Sequence, residues 1–147
     1  MLIKSQVTEA MKIAMREKDK ERLGVLRLML SDFKQVEVDE RIELTDERSL
    51  AILDKMVKQR RESIKQYLEA NRQDLADKEQ FEIDIIQSFM PEPLEGDQVQ
   101  KLIDEAFELL GATSIKDMSK VMAHLKPQLQ GRADLAVVGL QVKTLLS

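Results

Sequence analysis

Apolar residues recur at three- and four-residue steps along most of the chain, the spacing that lines one face of an α-helix. Leu2, Val7, Ala10, Met11, Ala14 and Met15 predict a first helix over roughly residues 2–18. Asp19 is an N-cap for a second, carrying Leu23, Leu26, Leu30 and Phe33. From Val36 to Leu44 apolar and charged side chains alternate, and this stretch is expected to be a connection. Thr45 followed by Asp46 and Glu47 starts a long third helix with Leu50, Leu53, Val57, Ile64 and Tyr67/Leu68, which Asn71 can close in the left-handed conformation. Leu75, Ile83, Ile86 and Phe89 mark a fourth.

The breakers divide this pattern. The first 90 residues hold one glycine, Gly24, and no proline, whereas Pro91-Glu92-Pro93 stops helix formation. Beyond it, Val99, Leu102, Ile103, Ala106 and Leu110 form a helix closed by Gly111. A second begins after Ser114 with Ile115, Met118, Met122 and Leu125 and is expected to stop before Pro127. A third begins near Asp134 with Val138, Val142 and Leu145. The expected fold is all-α: a four-helix region with a long helical hairpin over residues 1–90, a linker at 91–93, and a three-helix domain over 94–147.

Composition narrows the chemistry. The 147 residues include no Cys, one His, 27 acids and 23 Lys or Arg, for a net charge of −4. The missing cysteines exclude disulfides, thiolate nucleophiles and zinc–thiolate sites. An acidic balance counts against a broad grip on nucleic acid, and one Tyr with four Phe is too few for a base-stacking platform. No stretch is long and apolar enough to predict a membrane span, and Met1-Leu2-Ile3-Lys4 lacks the apolar core of a secretory signal, so the expected location is cytoplasmic. No acid/base dyad, nucleotide loop or metal-ligand spacing stands out. Catalytic residues, metals and cofactors are therefore all expected to be none.

Three charged groupings remain. If the third and fourth helices form an antiparallel hairpin turning near Asn71-Arg72, facing positions sum to about 143. Arg60 and Arg61 then meet Glu79 and Glu82 in an ion-pair cluster that fixes register more than it stabilises. Lys58, Arg61 and Lys65 share a helical face that reads either as a phosphate-contacting patch or as a solvated face with i,i+4 pairing. Lys116, Lys120 and His124 recur at four-residue steps, with Lys126 and Arg132 flanking the turn at Gly131 ahead of a helix N-terminus. That turn can receive a phosphate through backbone N–H groups, or it is an ordinary turn capped by Asp134.

Several segments taken together resemble the YqeY family. They are Arg22-Leu23-Gly24-Val25-Leu26-Arg27-Leu28, Leu44-Thr45-Asp46-Glu47, Lys58-Gln59-Arg60-Arg61-Glu62-Ser63-Ile64, Asn71-Arg72-Gln73-Asp74-Leu75-Ala76 and Met90-Pro91. The tail Lys116-Asp117-Met118-Ser119-Lys120-Val121-Met122 with Gly131-Arg132-Ala133-Asp134 completes the set. That family is similar to the C-terminal part of the GatB component of the glutamine-dependent tRNA amidotransferase, whose helical tail engages tRNA while amide transfer occurs elsewhere. The resemblance implies tRNA contact at Lys116, Lys120, Gly131 and Arg132. It also implies tRNA, or a protein of the tRNA amidation machinery, as partner. Ser119 stands where the family usually has glycine, and Phe89-Met90 where it has tyrosine-leucine. The expected function is a non-catalytic tRNA-binding or tRNA-associated module. The alternatives are a protein-interaction adaptor and an accessory to a glutamine-dependent carbon–nitrogen ligase.

Overall fold

The computed structural model describes residues 2–147. Among them are seven α-helices, one 3-10 turn and no strand. They fall into two compact units, one ending at Pro91 and the other spanning Glu92–Ser147.

The first unit holds α1 (Ile3–Glu17), α2 (Lys20–Glu40), α3 (Asp46–Glu69) and α4 (Gln73–Gln87). Local chemistry sets the ends. Asp19 accepts the Arg22 N–H and Thr45 accepts the Arg48 N–H, each at 3.2 Å. Lys18, Arg41 and Asn71 take the left-handed conformation at φ 58°, 54° and 57°, reversing the chain after α1, α2 and α3. The N-terminus of α1 has no local cap. Asp46, from the first turn of α3, accepts the Ile3 N–H at 2.8 Å instead.

α3 and α4 form a helical hairpin, and α4 also lies against α2. Between the helices Val7, Leu26, Met29, Phe33, Leu53 and Ile86 are fully buried. The stretch Val36–Leu44, expected as a connection, is helical as far as Glu40. Tertiary partners hold that last turn. Lys4 Nζ lies 2.6 Å from Glu37 Oε1, and the Leu44 N–H donates to Glu37 Oε2 at 3.3 Å. These two donors, the lysine first, hold the Glu37 carboxyl below the usual range. Leu44 then turns inward and is buried.

The second unit holds α5 (Gly96–Leu110), a 3-10 turn at Ile115–Asp117, α6 (Met118–Leu129) and α7 (Leu135–Leu146). Val99, Ile103 and Ala106 of α5 meet Val121, Leu125 and Leu129 of α6 and Val138, Val142 and Leu146 of α7 in its core. Gly111 closes α5 at φ 62°. The expected stop before Pro127 is corrected: α6 runs on through the proline to Leu129. The proline forfeits one backbone hydrogen bond, but the extra turn completes the Val121–Leu125–Leu129 stripe and buries Leu129 fully. Ile115, read as part of the apolar face, is 47% exposed because it belongs to the 3-10 turn rather than to α6.

Candidate nucleic-acid interface

In the hairpin of the first unit, Arg60 Nε lies 3.2 Å from Glu82 Oε2, and its Nη1 donates to the Met56 carbonyl at 3.2 Å. Both side chains are largely buried, at 14% and 15% exposure. Arg61, predicted opposite Glu82, points to solvent instead. Adjacent residues are a hundred degrees apart around a helix, so with Arg60 turned toward Glu82 its neighbour Arg61 is carried outward. Glu79 stands one turn before Glu82 and has no ion pair of its own among the described residues. Its carboxyl is held above the ordinary range, first by burial and then by the Glu82 charge, with Arg60 opposing.

Because protonation of Glu79 is favoured by folding, stability falls as pH rises from the unfolded-state value through the higher folded-state value. Above that window the ionised Glu79 is a constant liability. Glu79→Gln is therefore expected to raise stability at pH 7 by up to about 1 kcal/mol, solvent screening keeping the effect small. The gain is expected to vanish toward pH 4. Urea titrations of both proteins at the two pH values check this, and a loss of stability at pH 7 contradicts it.

Lys58 and Lys65 are exposed on α3, as is Arg61. Lys58 Nζ lies 3.4 Å from Asp54 Oδ2, one helical turn away. The i,i+4 pair therefore takes up part of the charge in this patch.

The C-terminal candidates are distributed differently. From 116 to 132 the chain has Lys116, Lys120, Lys126 and Arg132 against a single acid, Asp117. From 95 to 108, along α5, the balance reverses to five acids against Lys101. Lys116 lies in the 3-10 turn and Lys126 in the last turn of α6, both exposed. Lys120 Nζ donates to the Leu110 carbonyl at 3.2 Å, placing its charge at the C-terminal end of α5, where the helix dipole favours a cation. Arg132 Nε donates to the Glu92 carbonyl at 3.2 Å, while the Leu94 N–H donates back to the Arg132 carbonyl at 2.8 Å. The expected linker is thus tethered from Glu92 onward to the turn at Gly131, whose φ is 75°.

Two of the cations are therefore fixed by carbonyl oxygens, which orient a positive charge without neutralising it. Among the described residues none of the four forms an ion pair with a carboxylate. Asp117 accepts the Thr113 and Ser114 N–H groups, which hold its carboxyl below the usual range, and the Lys120 charge adds to this. In the middle of α6, His124 is half-buried, with Nε2 3.3 Å from Gln128 Nε2. Asp134 accepts the Ala136 N–H at 2.9 Å, so the α7 N-terminus already holds a carboxylate where a phosphate was a candidate. The two carbonyl clips were missed from the sequence because their partners lie 10 and 40 residues away.

No group of three or more metal-binding side chains occurs among the described residues, and no helix there is long and apolar enough to cross a membrane. A family model described as Yqey-like protein matches residues 4–146. The chain belongs to the YqeY family. Relatives named "Altered inheritance of mitochondria protein 41, mitochondrial" include one from Vanderwaltozyma polyspora, 38% identical over 119 residues. That match covers 76% of this chain and 64% of the relative. The Saccharomyces cerevisiae (strain YJM789) protein of that name is 39% identical over 101 residues, covering 64% of this chain and 55% of its own length. The Eremothecium gossypii protein is 38% identical over 87 residues, covering 58% and 48%. This YqeY-family chain thus spans between about half and two thirds of the length of these relatives. Their names place them in mitochondria, which overturns the expectation of a cytoplasmic location. That expectation drew on the absence of a secretory signal core, and such an absence carries no information about other destinations.

Proposed function

We propose that this protein is a non-catalytic helical module that docks tRNA through the cations carried on α6 and the turns that flank it in the C-terminal unit. The observation that supports it most is the set Lys116, Lys120, Lys126 and Arg132. These cations are gathered between 116 and 132, two of them oriented by carbonyl oxygens, and none is paired with a carboxylate among the described residues. Phosphate contact of this kind positions an RNA without reading its bases, which suits a chain poor in aromatic residues. Carriage of a tRNA to the amidation machinery, and any accessory part in carbon–nitrogen ligation, rest on the resemblance to the amidotransferase component.

Binding of total tRNA, followed by fluorescence anisotropy over a salt series, tests it. Lys116→Ala and Lys126→Ala are each expected to reduce the slope of log affinity against log salt by about one unit, with folding unchanged. Arg132→Ala is expected to do the same and also to loosen Glu92, while the backbone bond from Leu94 to residue 132 persists. Indifference to tRNA at low salt removes the reading. Protein–protein docking is a second reading, favoured by the exposed Val137, Leu140 and Leu145 of α7.

A further inference from the structure

A helix that is apolar on every side is ordinarily covered on every side, and α7 is covered on only one. Between Leu135 and Leu146 its single charge is Lys143. Val138, Val142 and Leu146 fill the core of the C-terminal unit, yet Val137, Leu140 and Leu145 on the outer face are 50%, 66% and 52% exposed. Together with Gln141, Thr144 and Gln100 of α5 they line a shallow groove of ≈ 350 Å³. Next to Gln100, α5 carries two carboxylates, Asp97 and Asp104, against one lysine, Lys101. Gln100 Nε2 donates to Asp104 Oδ1 at 2.9 Å, and Asp97 lies one turn before Gln100 on the same face. Lys143 does not line the groove, being turned toward the other edge of α7.

We infer that this groove is a docking site for an amphipathic helix of another protein, one with an aliphatic face and lysines or arginines along the edge that meets α5. The aliphatic face matches Val137 and Leu140, one turn apart, and Leu145 farther along α7, the manner in which a groove takes up a helical ligand. The basic edge matches Asp97 and Asp104. The site is separate from the α6 cations, so it stands whether or not the protein binds tRNA.

The test uses the full chain and two synthetic helical peptides with the same leucine face, one carrying lysines on its edges and the other glutamates, followed by fluorescence anisotropy. The lysine peptide is expected to bind about fivefold or more tighter. Leu140→Gln, at a side chain two-thirds exposed, is expected to weaken it about tenfold with the helical circular dichroism unchanged. Asp104→Asn is expected to cut the preference for lysine, whereas Asp77→Asn on α4 leaves it intact. Equal binding of both peptides, indifference to Leu140→Gln, or an equal effect of Asp77→Asn overturns the inference. So does sedimentation equilibrium showing a dimer that Leu140→Gln dissociates, since a second copy would then be the cover.

Discussion

Phe33→Ala is expected to destabilise the N-terminal unit by about 3–5 kcal/mol, the largest effect of any single substitution considered. Phe33 is fully buried on α2 within the core shared by α1, α2, α3 and α4. Removing its ring takes away the transfer energy of a large apolar group and leaves a void that rigid helices cannot close. A domain of this size has about 5–15 kcal/mol in hand, so the variant stays folded in buffer but with a sharply reduced urea midpoint. Urea titration monitored by far-UV circular dichroism checks it. A loss below about 1 kcal/mol would mean that α2 can collapse onto the space and that the packing is looser than described.

Leu125→Ala is expected to cost about 2–5 kcal/mol, but with a different outcome. Leu125 is fully buried at the centre of the Val121–Leu125–Leu129 stripe, in a unit that begins only at Glu92. A unit this short buries only about 60% of the surface of its unfolded chain and has little reserve stability. The same chemical deletion should therefore unfold the C-terminal unit while α1–α4 persist. Native-state hydrogen exchange separates the cases: protection is expected to vanish in α5–α7 and remain in α2 and α3. If one cooperative loss takes both units together, they do not fold independently. The variant also separates the two proposed surfaces from the rest of the molecule, because the α6 cations and the α7 groove disappear with the unit that carries them.

Much of the architecture was legible from local rules. Thr45 and Asp19 cap the helices they were expected to cap, Asp134 caps α7 at a turn where the sequence left capping and phosphate binding both open, and Asn71 and Gly111 take the left-handed conformation that ends α3 and α5. Those features act within four residues of sequence, so spacing and side-chain chemistry suffice to find them. The candidate site was legible only as a set of cations. Lys116, Lys120, Lys126 and Arg132 stand out by count, but nothing in their spacing distinguishes an exposed lysine from one held at the Leu110 carbonyl or an arginine held at the Glu92 carbonyl.

The sequence by itself determined that this chain is helical, where most of its helices begin and end, and which faces are apolar enough to pack. Tertiary structure alone decided that Arg60 rather than Arg61 meets Glu82, that Asp46 caps a helix 43 residues earlier, and that α2 continues past Val36. It also decided that one apolar face of α7 is left uncovered. The reason is geometric. Helix formation is governed by neighbours along the chain, whereas a partner across an interface depends on how two helices cross. One residue of offset in that crossing carries a side chain from the core to the solvent.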